Sequence, residues 1–143
     1  MKTSQEGLDF LAKEEGVVLH EYRDQVGLLT IGVGHLLRPG ERYPQGISRE
    51  KAFDLLRQDV EGAEAAVNTT TATLRQNQFD ALVSLVFNIG VAAFKGSTLL
   101  RKLNEGDMAA VEQQFHVWRK GGGQVLPVLV ARRRREAGLF SRP

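Results

Sequence analysis

The segment from Phe79 to Ile89 (F-D-A-L-V-S-L-V-F-N-I) limits the fold more than any other stretch of the chain. Read as a helix it is apolar on most sides, and such a helix has to be buried. Phe79, Leu82, Val83, Val86 and Phe87 are therefore expected at the centre of a helical core, with Gly90 ending the segment. Thr69-Thr70-Thr71 is a polar break ahead of it, and Thr73 with Gln76 reads as a capping box that starts the helix.

The flanking segments follow the same logic. Ser48 caps a long helix whose apolar residues Ala52, Leu56, Val60, Ala63 and Val67 recur at helical spacing, and a helix of that length can join two lobes. Ser4 caps a first helix that turns Leu8, Leu11 and Ala12 inward and stops at Gly16. Between these helices, Val17 to Glu21 and Leu28 to Val33 are β-branched or aliphatic runs around a turn at Arg23 to Gly27, which reads as a small hairpin. Further on, Ser97 begins a short helix ending at Gly106, and Asp107 caps one running to Trp118, itself read as a core anchor. Gly121-Gly122-Gly123 is a turn, and a last helix starts after Pro127. The fold class is α+β, mainly α. All 143 residues are expected in one domain, with a small β-hairpin lobe over about 15–60 and a larger helical lobe over about 61–143 plus the helix within 1–14, the two joined by the long helix.

Chemistry concentrates around the hairpin. Glu15 sits at a helix-ending glycine, Asp24 follows nine positions later and Thr30 six positions after that. Cleavage of a glycosidic bond needs one carboxyl to protonate the leaving oxygen and a second, ionised one near the developing positive charge or the attacking water. At a helix C-terminus the negative end of the macrodipole favours the neutral acid, by an amount of order 0.3–1 kcal/mol. Glu15 is therefore the candidate acid, and Asp24, on a polar turn, the candidate carboxylate. A threonine hydroxyl both donates and accepts, so Thr30 is equipped to hold a water.

Composition removes other classes. The chain has no cysteine, so it carries neither disulfides nor a thiolate metal site. Its three histidines, His20, His35 and His116, are far apart and form no H-E-x-x-H pair, so no metal and no cofactor is expected. The opening residues M-K-T-S-Q-E-G-L-D-F carry charges every few positions, which is neither a signal peptide nor a stable membrane anchor. A net charge of +2 and a pI near 9.2 describe a mildly basic protein, a property shared by binders of anionic wall polymer, membrane and nucleic acid.

The segment from Glu15 to His35 reads E-G-V-V-L-H-E-Y-R-D-Q-V-G-L-L-T-I-G-V-G-H, and its E-G, Y-x-D and G-x-x-T-I-G-x-G-H elements at this spacing resemble the phage-type lysozymes, a glycoside hydrolase family that includes endolysins of tailed bacteriophages. Glu15, Gly16, Tyr22, Asp24, Gly27, Thr30, Gly32, Gly34 and His35 carry the match. Gln58-Asp59-Val60, Phe87-Asn88-Ile89-Gly90, Trp118 and the arginine run extend it over nearly the whole chain.

The resemblance implies a lysozyme-like fold, catalytic roles for Glu15, Asp24 and Thr30, and a substrate border that includes Leu36, Phe87, Asn88 and Ser97. It implies bacterial peptidoglycan as substrate, a monomer, and no nucleic acid among the partners. The protein would be made in the host cytoplasm and act on the wall, reaching it through a separate membrane-permeabilising factor. It also supports a structural pairing of His35 with Asp59, in which the Asp59 carboxyl is expected below its ordinary value. At Val128 relatives commonly have glycine, so a positive φ there would strain the loop.

Two features invite other readings. A lytic transglycosylase would use Glu15 but has no need of a carboxylate and hydroxyl arranged around water. The run Arg132 to Arg135 together with the basic pI would suit a helical nucleic-acid-binding protein, but that reading leaves Glu15, Asp24 and Thr30 without a task. At about 100° per residue four successive arginines point in four directions, so some are expected in solvent and at least one against the cleft or a buried carboxylate.

Overall fold

The computed structural model describes residues 1–143. In chain order the elements are α1 (Gln5–Glu15), β1 (Val18–Arg23), β2 (Leu29–Gly32), β3 (His35–Leu36), α2 (Arg49–Asp59), α3 (Glu61–Val67), α4 (Gln76–Ile89), α5 (Val91–Lys95), α6 (Thr98–Asn104), α7 (Met108–Phe115), β4 (Lys120–Gly121), β5 (Gln124–Val125) and α8 (Pro127–Ser141). The chain forms two compact units, one of Leu8–Glu61 and one of Met1–Gly7 with Gly62–Pro143. The division falls inside α1 rather than at its end.

In the 8–61 unit the expected hairpin is a three-stranded antiparallel sheet in the order β1-β2-β3. Tyr22 pairs with Thr30, and Thr30 in turn with Leu36, so Thr30 lies on the central strand. The sheet packs on α2. Ile31, Val33, Ala52, Phe53, Leu55 and Leu56 are buried with Leu8, Leu11 and Ala12 of α1. Each large apolar side chain so enclosed is worth about 1.5–3 kcal/mol. Ser48 caps α2 as expected, accepting from the backbone N–H of Lys51 at 3.0 Å.

The single long helix expected from Ser48 to Val67 is two helices. Val60, at φ −82° and ψ −8°, closes α2, and α3 starts at Glu61. Ala52, Leu56, Val60, Ala63 and Val67 are all buried, so the apolar period runs unbroken across a backbone that is not.

In the other unit α4 packs most extensively against α8, and α7 against both α6 and α8. Phe79, Leu82, Val83 and Val86 are buried as expected, joined by Phe94, Leu99, Leu103, Val111, Phe115 and Phe140. The rings of Phe115 and Phe140 meet at 5.5 Å between centroids, tilted by 53°. Phe87 is only half-buried, so it is at the margin of this core and not at its centre. α4 begins at Gln76 and not at Thr73: the reciprocal bond of the capping box comes from Gln78, whose side chain accepts from the Arg75 N–H at 2.8 Å. Ser4 caps α1 through the Gly7 N–H at 3.0 Å, and its N–H reaches Asp80 Oδ1 at 3.1 Å.

Trp118 is neither helical nor buried. α7 stops at Phe115, and the glycine turn carries a second small hairpin, β4-β5. Val128 stands in the first turn of α8, and no residue other than glycine has a positive φ, so the expected strain is absent.

Candidate active site

Glu15, Asp24, Thr30, His35, Leu36 and Asp59 belong to the 8–61 unit. Phe87, Asn88 and Ser97 belong to the helical one.

Glu15 is the last residue of α1, half-buried. Gly16 ends the helix with φ +82° while its N–H still bonds the Ala12 carbonyl at 2.9 Å, a termination open to glycine without strain. The turn between β2 and β3 passes beside the acid. A Cβ placed on Gly34, whose φ is +64°, would lie 3.6 Å from Glu15 Oε1. Any side chain at that position would start in contact with the carboxyl.

Asp24 organises the turn between β1 and β2. Its Oδ1 accepts from the N–H groups of Val26 at 3.0 Å and Leu28 at 2.8 Å, while its own N–H bonds the Leu28 carbonyl at 2.9 Å. The carboxylate is thereby held in one orientation. Thr30 is buried on β2, and its hydroxyl donates to the Leu28 carbonyl at 3.0 Å, which leaves the oxygen as an acceptor. Glu21 is committed elsewhere: both its oxygens bond Arg42 and one also takes the Tyr43 N–H at 2.6 Å. The Arg42 guanidinium chiefly holds the Glu21 carboxyl below its ordinary value.

Behind the sheet His35 is buried, with Nδ1 2.7 Å from Asp59 Oδ2 and Nε2 3.1 Å from both oxygens of Glu41. The expected pairing with Asp59 is present, but the electrostatic expectation is reversed. Burial pushes the Asp59 carboxyl above its ordinary value, and the bond and charge of His35 do not offset it. Glu41 was not anticipated, because an acid in a Pro-Gly loop carries no sign of a partner in the sequence. Burial also opposes its ionisation, but the Arg38 N–H, the Tyr43 hydroxyl and the His35 ring together overcome this and lower its pKa to about 2.

Leu36 is exposed on β3. In the helical unit Asn88 is exposed and Ser97 half-buried. The Ser97 hydroxyl caps α6, accepting from the Leu100 N–H at 3.0 Å and donating to the Phe94 carbonyl at 2.6 Å, so its capacity for a ligand is largely used. Trp118, expected in the core, instead lines an open pocket of about 510 Å³ with Asn88, Ile89, Val117, Lys120 and Leu129.

The four arginines divide as their directions require. Arg134 and Arg135 are exposed, whereas Arg132 and Arg133 are buried against Glu136. Nε of Arg132 lies 3.1 Å from Glu136 Oε2 and Nε of Arg133 3.2 Å from Oε1. Burial pushes the Glu136 carboxyl up, against the pull of Arg133, Arg132 and the Ser84 hydroxyl. No group of acidic residues or histidines is arranged to hold a metal ion.

Known proteins match this chain over nearly its full length. The endolysin of Salmonella phage P22 is 43% identical over 144 residues, covering 98% of each chain. The endolysin of Bacillus phage PZA is 40% identical over 99% of this chain and 55% of its own. Among solved structures, a P22 lysozyme mutant superposes with a TM-score of 0.91 at 40% identity, and the muramidase domain of SpmX from Asticaccaulis excentricus with 0.88 at 37%, each covering 99% of both chains. The phage lysozyme family model matches residues 12–136, and the chain belongs to that family.

Proposed function

We propose that the protein is a muramidase of the endolysin type, which hydrolyses the β-1,4 bond between N-acetylmuramic acid and N-acetylglucosamine in bacterial peptidoglycan. Glu15 protonates the leaving oxygen, Asp24 supplies the second carboxylate and Thr30 positions the attacking water. The observation that carries this reading is that Thr30, on the central strand of the small sheet, and Asp24, in its β1–β2 turn, belong to one sheet whose β2–β3 turn lies beside the Glu15 carboxyl. Leu36, Phe87 and Asn88 are proposed to border the substrate. His35 and Asp59 support the sheet without taking part in the chemistry.

Because a positioned hydroxyl is most useful when a water must be held, we infer an inverting reaction. An inverting enzyme separates its carboxyl groups by roughly 6.5–9.5 Å, against about 5–5.5 Å in a retaining one. The protein is proposed to act as a monomer after synthesis in the host cytoplasm. No helix is long and apolar enough to cross a membrane; a separate permeabilising factor is part of the proposal.

Rapid NMR of freshly cleaved glycan, taken before mutarotation, tests the chemistry. The inverted, α, reducing sugar is expected. A β product would require a covalent intermediate. A 1,6-anhydro end with no new reducing group would identify a lytic transglycosylase and remove the role given to Thr30.

A further inference from the structure

Thr98, Arg101 and Asn104 follow one another at intervals of three along α6, so each side chain neighbours the next on the helix surface. Lys95, the last residue of α5, joins them around a hollow of about 410 Å³. No acidic residue lines it, and Leu100 supplies its one apolar side chain.

The two cations of this hollow stand apart from their neighbour on the same helix. Lys102 meets Glu105 at 3.4 Å, whereas neither Lys95 nor Arg101 has an acidic partner. Asn104 is turned by the loop ahead of α4. Its Oδ1 accepts from the Thr70 hydroxyl at 2.6 Å and from the Thr71 N–H at 3.3 Å. A backbone N–H can only donate, so the amide oxygen has to face Thr71, and the amide N–H₂ is left without a protein partner. The ammonium, the guanidinium and the amide are thus three separate donor groups around one hollow, with the Thr98 hydroxyl beside them.

A carboxylate has two oxygens to offer such a set, but a phosphate monoester has three strong acceptors. A guanidinium fork with an ammonium as point charge suits phosphoryl oxygens. The hollow has more than ten times the volume of a water molecule, about 30 Å³, so a bare ion does not fill it. Its polar wall suits a hydroxyl-bearing carrier rather than an acyl chain. We propose that Lys95, Thr98, Arg101 and Asn104 form a binding site for a phosphate group carried on a polyol or sugar, the chemistry of anionic envelope polymers. The site shares no residue with Glu15, Asp24 and Thr30 or with the pocket lined by Asn88 and Trp118, so it does not depend on the muramidase reading.

Glycerol 3-phosphate is titrated into the protein at low salt and followed by NMR. It should shift the Asn104 side-chain N–H₂ and the backbone signals of Thr98 and Arg101 saturably, whereas glycerol should not. Inorganic phosphate should bind several-fold more weakly. Equal affinity for the two phosphates would reduce the site to one for an adventitious ion only, and equal binding of acetate would remove the selectivity for phosphate; either result overturns the inference. Arg101→Gln should lower the affinity for glycerol 3-phosphate by about tenfold or more, as expected for a lost hydrogen bond between charged groups. Lys102→Gln removes the same charge one residue away, outside the lining of the hollow, and should leave the affinity unchanged. Equal losses in these two surface variants would show that only net charge matters and would overturn the inference. Asn104→Asp keeps an acceptor for Thr70 and Thr71 but turns a negative oxygen to the ligand, so binding should vanish; retained binding would contradict the role of the amide. Poly(glycerol phosphate) should displace glycerol 3-phosphate more effectively than phosphatidylglycerol vesicles at equal phosphate, and the reverse order would overturn the assignment to a polymer.

Discussion

His35 Nδ1 lies 2.7 Å from Asp59 Oδ2, joining the third strand of the small sheet to the last turn of the helix beneath it. The ring is buried, so whatever meets that nitrogen has to come from the protein. Asp59→Ala should cost about 1–3 kcal/mol, the penalty for a buried polar atom deprived of its partner. Asp59→Asn keeps an acceptor and should cost distinctly less. Urea denaturation of the two variants beside the wild type makes the comparison, and equal midpoints would show that the contact does not support the fold.

Glu41, on the other ring nitrogen, controls behaviour in acid. Its folded pKa of about 2 lies below the ordinary carboxyl value. The stability it contributes is therefore complete above the unfolded pKa of about 4.3 and is lost as pH falls towards the folded one. Thermal melts between pH 5 and pH 2, as orders of magnitude on that scale, should show a steeper loss for wild type than for Glu41→Gln. Parallel curves would assign the acid response to other groups.

Glu15→Gln keeps the shape of the side chain but removes the transferable proton. The variant should fold normally and lose wall lysis by about 10²–10⁴-fold, the usual worth of a general acid. A folded variant with near-normal turbidity loss on purified peptidoglycan would remove Glu15 from its proposed role.

The arginine run separates into two behaviours. Arg133→Met leaves Glu136 with one ion-pair partner fewer in a fully buried position, a loss of about 3–5 kcal/mol. Arg134→Ala, at an exposed position, should stay within about 0.5 kcal/mol in stability. It should instead weaken adsorption to anionic wall at low salt, with the difference fading once the Debye length is below about 10 Å. Sedimentation with wall fragments across a salt series, beside denaturation curves, distinguishes the two. A salt-dependent adsorption defect with unchanged stability in Arg133→Met would contradict its burial against Glu136.

What the sequence made legible was mainly local. Ser4 and Ser48 as caps, Gly16 as a stop and Asp24 as a turn residue each depend on groups a few positions away, and each stands where expected. The break at Val60 was hidden, because apolar spacing reports which face is buried and not whether the backbone is continuous. β3, β4 and β5 are two residues long, too short for any alternation to show. The engagement of Arg133 with Asn88, 45 positions earlier, is invisible in a run of four like charges, which locally resembles a solvated helix face. Size alone favours the core for Trp118, whereas here α7 stops three residues before it and leaves the residue lining a pocket.

The double duty of Oδ1 on Asp24 also constrains how such a chain can drift. Asparagine retains a carbonyl oxygen for the two N–H groups of the turn, while alanine or valine abandons both. A lineage that gave up its proposed hydrolysis to become a passive wall-recognition module would thus have one conservative exit at this position, through asparagine. An apolar first step would surrender the loop together with the reaction.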